Sequence, residues 1–336
     1  MNLVLSSPCQ NIRELLQRGP SSLVTNPDIP RLSLPSPRFA GKGRGDHFLA
    51  EADKHLKKFS FFGAGSKFED AAECFSKAGN CFKVEQKWQE AGEAYMQAAD
   101  LLQNKVQSSH EASAAMMDAG NCFKKVSAPD AINAFRGAIS NWCEAGRFNQ
   151  AAKLTKEIAE MYEKDNNPVE AIENYTQAAT FFETENSKSM TTQCNAKVAE
   201  LCSAVLDPPD LARAADIYEE LGKGCLDSAL IKYNAKGYFL SCVFCHLAQG
   251  DAVAARQKVD LFGGLDFSFR ESREGQLCDK LVTAVEEFDA DGFSTACYEF
   301  DRVSKLDAWK TSILVQIKRA IEGSGEGEDE DEVDLM

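Results

Sequence analysis

The middle of this chain repeats itself at a period of about twenty residues, and that rhythm limits the fold more than any other feature. Six segments align: KFEDAAECFSKAGNCF (67–82), KWQEAGEAYMQAADLL (87–102), HEASAAMMDAGNCF (110–123), APDAINAFRGAISNW (128–142), FNQAAKLTKEIAEMY (148–162) and PVEAIENYTQAATFF (168–182). A looser copy is LARAADIYEELGKGC (211–225). Each places an alanine early, a large residue about four later, a small residue three or four after that and a large apolar residue at its end. In the second copy these are Ala91, Tyr95, Ala98 and Leu102. Such spacing marks one face of an α-helix. Small residues let neighbouring helices approach, and aromatic rings fill the space between them. Pro129 and Pro168 stand at helix starts, where a missing N–H costs nothing. Turn residues at SSH (108–110), AGR (145–147) and KDNNP (164–168) separate the copies.

One helix per twenty residues is one hairpin per forty, as in tetratricopeptide arrays, whose hairpins bury their apolar faces only by stacking. The expected fold is all-α: a TPR-like array of helical hairpins over residues 46–226, forming a twisted, curved sheet, with a C-terminal helical bundle over 227–322. In the latter segment the register is lost but helical periodicity persists. Phe239, Val243, His246 and Leu247 form one stripe, Leu277, Leu281, Val285 and Phe288 a second, and Ile313, Ile317 and Ile321 a third.

Two tails flank this body. Residues 1–45 hold six of the ten prolines, are rich in Ser and Arg, and contain only Glu14 and Asp28 as acids. They read as a disordered extension, with a transit peptide as the alternative. Residues 323–336 read as a disordered acidic tail ending in Val333-Asp334-Leu335-Met336. A net charge of −15 disfavours nucleic acid as a partner. No apolar run approaches the roughly 20 residues of a membrane span. The twelve cysteines are scattered through apolar helical patterns and read as buried thiols of a reducing compartment.

Several motifs carry no chemistry in context. Cys242-Val243-Phe244-Cys245-His246 matches a haem-attachment pattern but lies in an apolar helical stretch. The four histidines (47, 55, 110, 246) are far apart and show no metal-ligand spacing. GAGS (63–66) lacks the sequel of a phosphate loop. No catalytic residue, cofactor or metal is therefore expected, and the chain is read as a non-enzyme. One stretch remains odd. KKFSFFGAGSKFED (57–70) sets Phe59, Phe61 and Phe62 beside two glycines, in a connection between helices that should face water.

This Phe/Gly connection ahead of an alanine-rich helical array resembles the soluble NSF attachment proteins, the alpha-SNAP family. So do KWQEAGEAYMQAA (87–99), HEASAAMMDAGNCFKK (110–125), PDAINAF (129–135), GRFNQAAK (146–153), IKYNAKGYFL (231–240), FRESRE (269–274) and LDAWKTSILVQIKRAIEG (306–323). The resemblance spans about 46–336. It implies a cytoplasmic adaptor, peripherally associated with membranes, in vesicle fusion and intracellular protein transport. Such an adaptor binds assembled SNARE complexes, then recruits and stimulates the hexameric ATPase NSF. By the same resemblance the loop 57–66 would touch the membrane surface through Phe59, Phe61 and Phe62, with Lys57 and Lys58 beside them. Burying each ring would contribute roughly 1.5–3 kcal/mol, unless the rings tuck under the first repeat as ordinary core. The SNARE-binding positions it implies are Arg147, Lys153, Lys197, Lys232, Lys236 and Arg273. Those for NSF are Glu286, Glu287 and Leu335. Gln193 stands near where a further lysine is expected and Thr283 where an acid is expected; Met336 follows the penultimate leucine. Two alternatives stay open: a TPR-type peptide-binding scaffold, and a SNAP paralogue impaired in NSF engagement.

Overall fold

The computed structural model describes residues 43–57 and 64–325, and among these the chain forms helices and no strand. The described residues form fifteen α-helices that follow one another. The first nine are α1 (Arg44–Lys57), α2 (Ala64–Val84), α3 (Trp88–Leu101), α4 (Ser109–Phe123), α5 (Ala128–Glu144), α6 (Phe148–Lys164), α7 (Pro168–Thr184), α8 (Lys188–Ala204) and α9 (Leu211–Leu226). Then come α10 (Ala235–Ala248), α11 (Ala252–Leu265), the single turn α12 (Phe267–Arg270), α13 (Arg273–Glu286), α14 (Ala290–Asp301) and α15 (Ala308–Gly325). All seven repeat segments fall on helices. Gly146 (φ 68°) and Asn166 (φ 53°) make the left-handed turns that the AGR and KDNNP signals announce. The break placed at 108–110 falls slightly earlier, at Gln107 (φ 62°), after a π-helical turn over Leu102–Val106. Two of the first nine helices, α1 and α8, have no counterpart among the aligned segments.

Packing divides the chain into two compact units. One is residues 43–154 with 184–186; the other is residues 155–183 and 187–325. In the first, from α1 to α5, each helix packs on the next with an aromatic ring seated against a glycine. A methyl built on Gly120 would stand 2.3 Å from Phe135 Cε1, and one on Gly92 2.4 Å from Phe123 Cε1. Gly79 meets Tyr95 in the same way, and Tyr95 Oη donates to Asn80 Oδ1 at 2.8 Å. The alanines around these rings, such as Ala91, Ala98, Ala119 and Ala138, are fully buried. Here the sequence pattern finds its cause: the small residue of one helix is the seat for the large residue of its successor. The π turn is tied down by Gln103 and Asn141, which exchange side-chain hydrogen bonds of 3.0 and 2.7 Å.

In the second unit neighbouring and next-but-one helices touch. Tyr175 Oη (α7) donates to Glu163 (α6) at 2.8 Å, and Arg213 (α9) reaches Thr176 Oγ1 (α7) at 3.1 Å. Gly222 seats Phe239, which stacks on Phe262 at 4.0 Å and meets Phe269 edge-on. Phe239, Val243 and Leu247 are buried as one stripe; Leu277 and Leu281, and Ile313, Ile317 and Ile321, supply two more. Side chains cap the helix starts: Asp251 accepts from Ala254 N, Ser272 from Gly275 N and Asp289 from Gly292 N.

Two expectations need correction. Phe288 does not continue the Leu277–Val285 stripe. Helix α13 ends at Glu286, Phe288 takes a left-handed φ of 54°, and its ring is 63% exposed. The Phe/Gly connection is also shorter than 57–66. Lys57 closes α1, and α2 begins at Ala64, so Gly65 and Ser66 belong to a helix. A first-turn glycine costs at most about 1 kcal/mol, which the packing of a 21-residue helix outweighs. Lys58, Phe59, Phe61, Phe62 and Leu335, like residues 1–42 and 326–336, lie outside the described residues.

Candidate functional site

The six cations named from the sequence fall into two groups by what they already hold. Arg147 lies in the turn after Gly146, and Lys153 follows on α6; both belong to the first unit and are exposed. Lys236, in the first turn of α10, is half-buried. Among the described residues none of these three has an ion-pair partner. Arg273 opens α13, exposed, with Nη1 3.5 Å from Ser304 Oγ. By contrast, Lys197 Nζ is shared between Glu163 at 3.1 Å and Glu200 at 3.2 Å. Lys232 Nζ lies 3.2 Å from Asp266 Oδ1, and Asp266 is only 4% exposed. Burial raises the Asp266 pKa, but Ser268 and Lys232 donate to the carboxylate and hold it below its ordinary value. Lys232 is thus part of the fold as well as of the surface.

Gln193, where a cation is missing, accepts a hydrogen bond from Lys156 Nζ at 3.5 Å. Lys156, one turn beyond Lys153 on α6, puts a cation beside that position, but its Nζ also lies 3.9 Å from Glu160 Oε1, so the charge is already partnered. The sequence reading passed over it because it matched no motif.

The acidic end is partly neutralised from within. Arg256 on α11 forks onto α13: Nη1 meets Asp279 Oδ1 at 2.6 Å, Nη2 meets Glu286 Oε2 at 2.7 Å, and Nε meets Glu286 Oε1 at 3.2 Å. Thr283 fits this cluster because its hydroxyl accepts from Arg256 Nη2 at 2.8 Å. The Arg256 hydrogen bond holds the Glu286 carboxyl below its usual pKa. Glu287 and Asp291 remain exposed, and between them the Phe288 ring stands clear of the surface. Helical spacing alone places Phe288 in the core, whereas its ring is exposed between two exposed carboxylates.

Helices α8, α9, α10 and α15 enclose a groove of about 970 Å³. Tyr218, Tyr238 and Trp309 give it an aromatic wall, with the Tyr218 and Trp309 rings 5.8 Å apart; Glu200, Ser241 and Gln316 supply polar groups. Cys242 and Cys245 lie behind it, fully buried, and burial pushes the Cys242 thiol up to about 12. That removes thiolate chemistry from the C-x-x-C-H motif at neutral pH. No helix among the described residues is long and apolar enough to cross a membrane.

Residues 43–322 match the family model described as soluble NSF attachment protein. An alpha-soluble NSF attachment protein of Vitis vinifera is 39% identical over 287 residues, covering 85% of this chain and 97% of that protein. The alpha-soluble NSF attachment protein of Mus musculus is 40% identical over 284 residues, covering 83% and 95%. The vesicular-fusion protein SEC17 of Komagataella phaffii is 32% identical over 294 residues, covering 85% and 98%.

Proposed function

This chain belongs to the soluble NSF attachment protein family, and from that membership we propose that it is a non-enzymatic adaptor of SNARE disassembly. It binds the assembled, acidic SNARE bundle, then recruits NSF and stimulates its ATPase. The observation that carries the reading is the family match over 43–322, with 95–97% of the plant and mouse relatives covered. The exposed Arg147 and Lys153, and the half-buried Lys236, none of them ion-paired among the described residues, are the cations best placed to meet acidic helices. Charges already neutralised at home have less to give a partner. Glu287, Asp291 and the Phe288 ring are the corresponding contacts for NSF, joined by Leu335. Phe59, Phe61 and Phe62, with Lys57 and Lys58, hold the protein reversibly on the bilayer during this work.

The test is a reconstituted disassembly reaction with purified SNARE complex, NSF, ATP and this protein. ATP-dependent release of SNARE subunits is expected. Failure under conditions where a standard alpha-SNAP works rejects the adaptor reading. One observation favours a variant of it: Arg256 occupies Glu286, and Thr283 adds no charge. SNARE binding with little ATPase stimulation would mark the chain as a paralogue impaired at the NSF step.

A further inference from the structure

Four polar residues meet on the facing sides of α1 and α2, beside the connection 58–63. Glu51 and His55 lie one turn apart on α1; Asp70 and Cys74 lie one turn apart on α2. Single ligand atoms of Glu51, His55 and Cys74 all fall within 4.8 Å of one another. Asp70 Oδ2 is 3.4 Å from His55 Nδ1. That nitrogen is shielded from solvent and makes no hydrogen bond, although a carboxylate stands beside it. Cys74 is buried against Ala52, Ala71 and Phe75, while Glu51 and His55 are half-buried and leave a path to solvent. No residue of this group is among the cations and acids assigned above to SNARE or NSF.

We propose that Glu51, His55 and Cys74 form a divalent-metal site of zinc type, with Asp70 positioning the histidine ring. The donor set is one oxygen, one nitrogen and one sulfur, which suits the borderline-soft Zn²⁺ and disfavours Mg²⁺ or Ca²⁺. Tetrahedral zinc with bonds of about 2.0–2.3 Å brings its ligand atoms to roughly 3.3–3.8 Å of one another. Closing from 4.8 Å is a matter of side-chain rotation, because each helix already presents its two residues at i and i+4 on one face. Three protein ligands leave the fourth position for water. A carboxylate beside the imidazole is the usual outer partner of a metal-bound histidine, and with an ion bound Asp70 would accept the ring's remaining N–H and fix its orientation. The ion would tie α1 to α2 on both sides of the connection 58–63.

The full-length protein, stripped with chelator, should be titrated with Co²⁺ alone and followed by absorption. A saturable one-to-one uptake with a thiolate-to-cobalt charge-transfer band and tetrahedral d–d bands is expected, and Zn²⁺ should displace it. Cys74→Ser should abolish the charge-transfer band, and His55→Gln and Glu51→Gln should each weaken uptake at least tenfold. Asp70→Asn should weaken it about 10–100-fold while the band keeps its shape. Zn²⁺ should raise the unfolding midpoint of the parent protein and leave that of His55→Gln unmoved, which settles the matter even if Cys74→Ser folds poorly. Absence of saturable uptake overturns the proposal. So does a charge-transfer band that survives both Cys74→Ser and His55→Gln, since the ion would then sit on other thiols.

Discussion

Gly120 shows how much a single missing methyl carries. Phe135 is fully buried against it, and an added Cβ would lie 2.3 Å from the ring. Gly120→Ala should therefore destabilise by about 1–3 kcal/mol through overpacking. Gly224 on α9 has nothing within 4 Å of the same construction. There Gly→Ala should stabilise by about 0.5–1 kcal/mol, the ordinary helix preference. Thermal unfolding of the two variants checks both signs. A second residue-scale outcome concerns Asp266. Its folded pKa is depressed, so the stability it contributes is present above the unfolded value and is lost as pH falls through the folded one. The unfolding midpoint of the parent should drop below about pH 4, more steeply than that of Asp266→Asn. Lys232→Ala should lower stability by about 1 kcal/mol, a figure kept small because the lysine is half exposed to screening water. Lys236→Ala should leave stability unchanged. If both lower SNARE binding, the second is the one that reports on the contact itself.

At the level of the helix, most of the fold was legible because small and large residues alternate at helical spacing wherever two helices meet. Where that alternation is replaced by polar residues, the signal vanished. In α8, Thr191 stands at the early-alanine position and Asn195 at the aromatic one, yet Cys194, Val198, Ala199 and Cys202 are buried. Phe288 misled for the opposite reason: its spacing suits a stripe, and no glycine or proline marks the stop at Glu286. The state of each candidate charge was invisible, since Lys232 and Asp266, or Arg256 and Glu286, pair across some thirty residues. Histidine spacing also looked uninformative because His55 finds Glu51 on its own helix and Cys74 on the next. The Arg256 fork yields an element-scale expectation. Arg256→Ala should free Asp279 and Glu286 and tighten NSF recruitment about two- to fivefold, the worth of one partly exposed pair. Pull-down of NSF on preassembled SNARE complex measures it.

For the whole molecule, the overall charge of −15 means that the proposed grip on acidic helices has to come from cations not already paired within the fold. Arg147→Ala, Lys153→Ala and Lys236→Ala together should reduce SNARE binding at least tenfold and flatten its dependence on ionic strength. Substituting Lys197, which two glutamates already hold, should do less. Binding measured across a salt series separates these outcomes. The seating of rings on glycines has a consequence of its own. Each seat joins a helix to its immediate successor along the chain, so native structure can zip outward from any hairpin without waiting for distant segments to meet. The same seats act as a ratchet: sliding one helix along its neighbour by a single residue would drive a ring into a side chain where a bare backbone had received it.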